Sequence, residues 1–129
     1  MKIAYVGAAP KSHEEVGELI QKSGLASKIA SVRAVNIPVL DLAANREVTL
    51  EKLVRIGREA IDKDCADVLV LGCMSMAFLQ VAEEMQKLLG IPVINPAKAA
   101  LKLAESLACC GLKQSKAAIS VPPKLSAGK

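Results

Sequence analysis

Aromatic side chains are nearly missing from this chain of 129 residues, which has one Tyr, one Phe and no Trp. Tyr5 and Phe78 cannot form the row of stacking platforms that single-stranded nucleic acids need, so nucleic acid is not an expected partner and the core has to be aliphatic. Histidine occurs once, at His13, and the four cysteines, Cys65, Cys73, Cys109 and Cys110, show no C-x-x-C spacing. Zinc-finger and haem-attachment patterns are therefore excluded. Cysteines used this way suit a reducing compartment, and a cytoplasmic location is expected. No apolar run is long enough for a membrane: the longest, Val68 to Leu79, is broken by Gly72 and Ser75 and falls short of the ~20 residues a span requires. The N-terminus runs straight into a strand-like segment with Lys2 as its only early charge, so no secretory leader is expected.

What is present is the composition of one folded domain. Hydrophobic residues make up 52% and charged residues 23%, a balance foreign to disordered segments. A chain of this length buries roughly two-thirds of its unfolded surface and needs no disulfide or metal scaffold. The formal charge of +4 belongs to one end. Lys113, Lys116, Lys124 and Lys129 meet no acid within residues 113–129, and without them the basic residues match the 13 acidic ones. The body is neutral, and residues 113–129 read as an extended, solvated basic tail behind a domain spanning 1–112.

Apolar runs alternate with amphipathic stretches four times. Met1–Val6 reads as a buried strand ending at Gly7. Ser12 and Glu15 have capping-box spacing for a helix that starts near His13, carries Val16, Leu19 and Ile20 on one apolar face, and stops at Gly24. Ile29–Val35 is the second strand, and Ile37–Asp41 continues extended because Pro38 cannot serve a central ladder. Thr49 is placed to cap a second helix with the stripe Leu50, Leu53, Val54, Ile56, Gly57, Ala60 and Ile61. Asp67–Leu71 carries the uninterrupted apolar run of a central parallel strand covered on both faces. A third helix is predicted from about Ser75 to Leu89, stopped by Gly90, with a fourth strand at Ile91–Ile94. Asn95-Pro96 supplies a cap and a first-turn proline for a fourth helix lined by Ala99, Ala100, Leu103, Ala104 and Leu107. The alternation predicts an α/β fold: a single doubly wound domain with a four-stranded parallel sheet flanked by helices.

Ligands of open parallel sheets sit beyond the C-terminal ends of the strands. That singles out the loops Gly7–Lys11, Asp41–Val48, Gly72–Ser75 and Asn95–Pro96. Of these, only Gly72–Ser75 carries a side chain with nucleophilic chemistry. Cys73 stands between a central strand and a helix start, where unpaired N–H groups and the positive end of the helix dipole favour thiolate over thiol. Gly72 lets the backbone turn and a substrate approach, and Ser75 either caps the helix or donates to a substrate oxygen. The opposing reading makes Cys73 a small buried apolar residue. Cys65, Cys109 and Cys110 sit at helix ends and read as filler. Cys–His hydrolase chemistry needs a His beside the Cys, and His13, in the first turn of a helix, reads as a surface residue. The loop Gly7-Ala8-Ala9-Pro10-Lys11 matches neither G-x-G-x-x-G nor a Walker loop, which leaves a plain tight turn or backbone N–H groups that hold a small anion.

Several segments together resemble the second half of the hydantoin racemases, members of the aspartate/glutamate racemase superfamily. They are Ala66–Met76 with its Leu-Gly-Cys motif, Gly90-Ile91-Pro92-Val93-Ile94-Asn95-Pro96, Ala99–Leu107, Gly111-Leu112-Lys113 and Ser115-Lys116, joined upstream by Gly24-Leu25, Ser31-Val32-Arg33 and Ile37–Leu42. The resemblance covers almost the whole chain. It implies one of two similar α/β domains with the active site in the cleft between them, a small-molecule substrate of the hydantoin or amino-acid class, and no cofactor. Each domain would supply one cysteine, one removing the α-proton and the other returning a proton on the opposite face. The resemblance assigns Cys73 to the second-domain cysteine and Gly72, Met74 and Ser75 to the cleft lining, through backbone N–H groups and a hydroxyl. The sequence departs from the pattern at Met74 and Ser75, where the family has a small residue and Gly, and in the first domain, which is not part of it.

A two-base racemase needs acid and base on opposite faces of one carbon, and this sequence offers one of them. The expected function is a racemase-type half-enzyme in which Cys73 is one of two bases. Its other half would come from a complementary racemase domain on another chain, or from a second copy in a homo-oligomer. The alternative is a non-catalytic remnant that binds a small carboxylate or serves as an assembly subunit, and a one-base lyase or decarboxylase is a third reading. The strand-end surface that a first domain would cover is expected to make contacts, with Met74, Met76 and Phe78 near it and core packing the equal alternative for Phe78.

Overall fold

The computed structural model describes residues 1–10 and 12–113, the side chains of 12–14 excepted. The strands are β1 (Ile3–Gly7), β2 (Ile29–Ala34), β3 (Val68–Leu71) and β4 (Val93–Ile94), and the α-helices are α1 (Ser12–Lys22), α2 (Arg46–Asp64), α3 (Met74–Phe78), α4 (Ala82–Leu89) and α5 (Pro96–Cys109). The strands form one four-stranded sheet in the order β2-β1-β3-β4, and every pairing is parallel. This is the α/β architecture expected from the sequence.

The chain starts mid-sheet, steps outward to β2, then crosses back past β1 to β3. Right-handed crossovers taken in opposite directions place their helices on opposite faces. Accordingly α1 packs on β2, while α2 packs on β1, β2 and α4. The direction of winding reverses between β1 and β3, the switch point at which sheets of this kind open a crevice.

Strand alternation sorts the core. Ala4 and Val6 of β1 lie in register with Leu69 and Leu71 of β3, and all four are buried with Leu53, Ile56 and Ala60 of α2 and Met85 and Leu89 of α4. Gly57 brings α2 close to this layer, since a Cβ there would lie 2.6 Å from Leu89 Cδ1 and 3.0 Å from Leu69 Cδ1. On the other face Ile3, Tyr5, Val68 and Val70 are half-buried. The two-sided burial expected of β3 is therefore complete on one side only.

Local details differ from expectation for identifiable reasons. Asn45, not Thr49, caps α2: its side-chain oxygen accepts the Val48 N–H at 3.1 Å. Thr49 lies inside the helix, buried, and donates its hydroxyl to the Leu42 carbonyl at 3.0 Å. After Pro38 the chain makes a 3-10 turn, Val39–Asp41, where an extended segment was expected. The helix expected over 75–89 is two helices, because Gln80 adopts a left-handed conformation with φ 55°. The Ser12 side chain of the expected Ser12–Glu15 capping pair lies outside the described residues.

Arg33 joins β2 to the end of α2. Its Nε donates to Asp64 Oδ2 at 2.6 Å and its Nη2 to Asp64 Oδ1 at 3.1 Å, while Nη1 donates to Glu59 Oε2 at 3.1 Å. The guanidinium holds the Asp64 carboxyl below the usual carboxylate range.

The chain divides into two compact units, Met1–Ala99 and Ala100–Lys129. Sheet, core and helices α1 to α4 belong to the first. In the second, α5 closes on Gly111 at φ 69°, and the Leu112 N–H donates to the Leu107 carbonyl at 3.0 Å. Ala99, Ala100, Leu103, Ala104 and Leu107, the row expected to line this helix, are exposed. Of the tail over 113–129, only Lys113 lies among the described residues. Among those residues no helix is long and apolar enough to cross a membrane.

Candidate active site

The C-terminal ends of β1 and β3 are neighbours, Val6 pairing with Leu71. Both exits carry a glycine, Gly7 and Gly72. After Gly7 the ladder runs on, the Val35 N–H donating to the Gly7 carbonyl at 3.0 Å and the Ile37 N–H to the Ala8 carbonyl at 3.3 Å. After Gly72 comes Cys73, extended at φ −127°, ψ 131°, as the N-cap residue of α3. Its side chain is half-buried against the core edge and makes no capping hydrogen bond. Its carbonyl accepts the Ala77 N–H at 3.1 Å, the first bond of the helix.

Cys73 thus occupies the strand-to-helix position inferred for it, but the helix it opens is only five residues long. Ser75 stands in the first turn, half-buried, and does not cap, because Cys73 holds that place. Met74 is 52% exposed and Phe78, one turn on, 71% exposed, while Met76 is wholly buried. Met76 is therefore a core residue, and only Met74 and Phe78 of that trio face outward.

Gly72 plays a different part from the one its sequence context suggests. Its φ is not positive, so the turn itself does not require glycine. A Cβ at this position would lie 2.0 Å from Tyr5 Cζ and 2.3 Å from both Cε1 and Oη. The space over Gly72 holds the Tyr5 ring where an approaching substrate was expected. Its N–H is also engaged, donating to the Val6 carbonyl at 2.8 Å, and its carbonyl accepts the Tyr5 hydroxyl at 2.6 Å. Burial, and after it the neighbouring Cys73 sulfur, push the Tyr5 phenol above its ordinary range.

Tyr5 escaped the sequence reading. The one available signal was a lone aromatic in an otherwise aliphatic strand, and it points to Gly72 only once β1 is known to pair with β3.

Asn95 secures the other flank. Its Oδ1 accepts the Ala97 and Lys98 N–H groups at 3.0 and 3.2 Å, the cap expected for α5. Its Nδ2 donates to the Ala77 carbonyl at 2.8 Å, tying β4's exit to the helix that follows Cys73. Cys65 is exposed and stands before β3, at the opposite end of the strand from Cys73. Cys109 and Cys110 close α5 in the second unit and are exposed. The His13 side chain and Lys11 lie outside the described residues.

Comparison with known proteins gives the geometry a family. The model of the Asp/Glu/hydantoin racemase family matches residues 1–104. The hydantoin racemase of Paenarthrobacter aurescens is 34% identical over 112 residues, which are 87% of this chain and 47% of the relative. The crystal structure of allantoin racemase from Pseudomonas fluorescens superposes with a TM-score of 0.81 at 32% identity, over 89% of this chain and 48% of that one. Allantoin racemase from Klebsiella pneumoniae gives a TM-score of 0.82 at 30% identity, over 89% and 46%. The chain spans about half the length of each of these relatives. From the family match over most of its length, and from relatives that agree with it in sequence and in fold, the chain belongs to the Asp/Glu/hydantoin racemase family.

Proposed function

We propose that the chain is one half of a cofactor-independent racemase that inverts a stereocentre in a hydantoin-type ring, with Cys73 exchanging a proton with the ring carbon on one face. The carrying observation is the place of Cys73, the N-cap residue at the β1/β3 switch point, in a chain half the length of hydantoin and allantoin racemases. The ring carbon between carbonyl and nitrogen is acidic because the carbonyl takes up the charge. In one direction the Cys73 thiolate accepts the proton and the electron pair moves into the carbonyl as an enolate. The enolate then takes a proton from an acid on its other face, which leaves the centre inverted with atoms and charge balanced. In the reverse direction Cys73 is the acid. Met74 and Ser75, adjoining the thiol, border the ring. Gly72 acts by fixing Cys73, its own N–H being taken by Val6.

The second acid–base group comes from a complementary racemase domain or from a second copy of this chain. Cys65, the other cysteine of the first unit, is separated from Cys73 by the whole of β3.

The test is exchange in deuterated water on one enantiomer of a 5-substituted hydantoin. The chain alone is expected to racemise it feebly, since a positioned acid or base contributes roughly 10²–10⁴-fold and one face lacks its group. Adding a first-domain partner with its own cysteine is expected to raise deuterium incorporation with inversion, and Cys73→Ala to remove the gain. Exchange with inversion that survives Cys73→Ala overturns the reading. Efficient racemisation by the chain alone assigns the second group to Cys73 of another copy, and mixed wild-type and Cys73→Ala dimers are then inactive.

A further inference from the structure

We propose that Tyr5 is the positioning residue of this site: its ring and hydroxyl together clamp the Gly72–Cys73 peptide and so fix where the Cys73 sulfur stands at the edge of the crevice. This rests on the reading of Cys73 as the reacting group, and it is testable separately.

Tyr5 lies opposite Val70 in the β1–β3 register. Its side chain leaves the sheet on the half-buried face, away from Ala4 and Val6, and runs toward the strand ends. There the hydroxyl donates to the Gly72 carbonyl at 2.6 Å. That carbonyl and the Cys73 nitrogen belong to one planar peptide unit, so holding the oxygen orients the start of Cys73. The main chain is held on both sides of that peptide as well, by Gly72 N–H to Val6 and by Ala77 N–H to the Cys73 carbonyl. Among the described residues, Tyr5 supplies the side-chain anchor between these two bonds.

The ring lies so close over Gly72 that no Cβ fits beneath it. The glycine of the Leu-Gly-Cys motif and Tyr5 are therefore two parts of one device. A phenol also suits the task. Burial and the adjacent sulfur both disfavour its ionisation, so it remains a hydrogen-bond donor when Cys73 carries the charge.

Two measurements test the clamp, and neither needs turnover. The first is the Cys73-to-Cys110 labelling ratio under limiting iodoacetamide, read by peptide mapping. Tyr5→Phe keeps the ring and removes the donor. A neutral hydrogen bond of about 1 kcal/mol corresponds to about a fivefold change in the population it holds. The ratio is expected to fall by about that factor as the sulfur spends less of its time in the position the clamp holds. An unchanged or raised ratio in folded Tyr5→Phe overturns the proposal.

The second measurement keeps Tyr5 and does not depend on that variant folding. The chain has one Tyr and no Trp, so phenolate absorbance reports Tyr5 alone. The clamp holds the phenol proton on the Gly72 carbonyl, so the phenol is expected to titrate at higher pH in the folded wild type than in the same protein unfolded in urea. Coincident titrations overturn the proposal. Unchanged labelling beside lost racemisation in Cys73→Ala removes the clamp alone. Altered labelling with racemisation intact in Cys73→Ala removes the catalytic reading and leaves the clamp.

Discussion

Replacing Gly72 with Ala probes how the site is built. The main chain at Gly72 is not in the left-handed region, so alanine costs nothing in backbone conformation. Restricting the unfolded chain would by itself stabilise the protein by about 0.4–1 kcal/mol. The added methyl instead meets the Tyr5 ring, 2.0 Å from Cζ and 2.3 Å from Cε1 and Oη, where ordinary carbon contacts are about 3.5–4.0 Å. The ring has to retreat by roughly 1.5 Å to restore such a contact. It is not a loose end, because its hydroxyl is bonded to the Gly72 carbonyl and its strand is paired on both sides. Overpacking costs typically about 1–3 kcal/mol, and the lost hydrogen bond adds about 1 kcal/mol. Less the gain from restricting the unfolded chain, the expected destabilisation is about 1–3.5 kcal/mol, a large part of the ~5–15 kcal/mol that holds a domain together. Urea unfolding followed by circular dichroism reads it as a lower midpoint at unchanged slope. Tyr5→Leu with Gly72→Ala is expected to be more stable than the sum of the single changes implies, since the two residues share one contact. A Gly72→Ala protein within about 0.5 kcal/mol of wild type would refute the close cover of Gly72 by the ring.

Two further predictions concern the supports of the site and the sheet. Asn95→Ala removes a helix cap, at about 0.5–2 kcal/mol, and strips the Ala77 carbonyl of its buried donor, at about 1–3 kcal/mol; thermal unfolding is expected to show their combination, and an unchanged midpoint would count against the bridge. Asp64, held below the usual carboxylate range by Arg33, contributes stability above its unfolded pKa of about 3.9, and that contribution fades as pH falls through the lowered folded value. Asp64→Asn is therefore expected to be less stable than wild type at neutral pH, with a gap that narrows in acid, and curves that stay parallel down to full protonation would contradict the pairing.

The legible parts of this fold are the parts written locally. The apolar runs that became β1 to β4 stand out because a parallel strand buries consecutive residues. Asn95-Pro96 carries cap and first-turn chemistry within two positions. The place of Cys73 between strand and helix was legible because a strand exit, a glycine and a helix start lie next to one another in the chain. The missed features depend on residues that meet only after folding. Nothing local marks Gln80 or Cys65 as left-handed, so the break between α3 and α4 left no trace. Thr49 resembled a cap until the Leu42 carbonyl claimed its hydroxyl in the core. Tyr5 and Gly72 are 67 positions apart, and no periodicity in either segment connects them.

The rigidity of the site bears on the mechanism proposed for it. An enolate is planar at the carbon that has lost its proton, and inversion requires the incoming proton to arrive on the face opposite the departing one. Cys73 is held by the sheet through Gly72, by the Ala77 N–H through its own carbonyl, and by the Tyr5 hydroxyl through the shared peptide. In the mechanism proposed above, a cysteine whose main chain is held in this way presents its sulfur to one face of a bound ring. On the proposed reading, the anchorage that would make Cys73 a positioned base would also bar it from being the acid of the same turnover. On that proposal the second group belongs to a separate body with its own anchorage, and Met74 and Phe78, both exposed on α3 directly after Cys73, are the apolar side chains such a body would meet first.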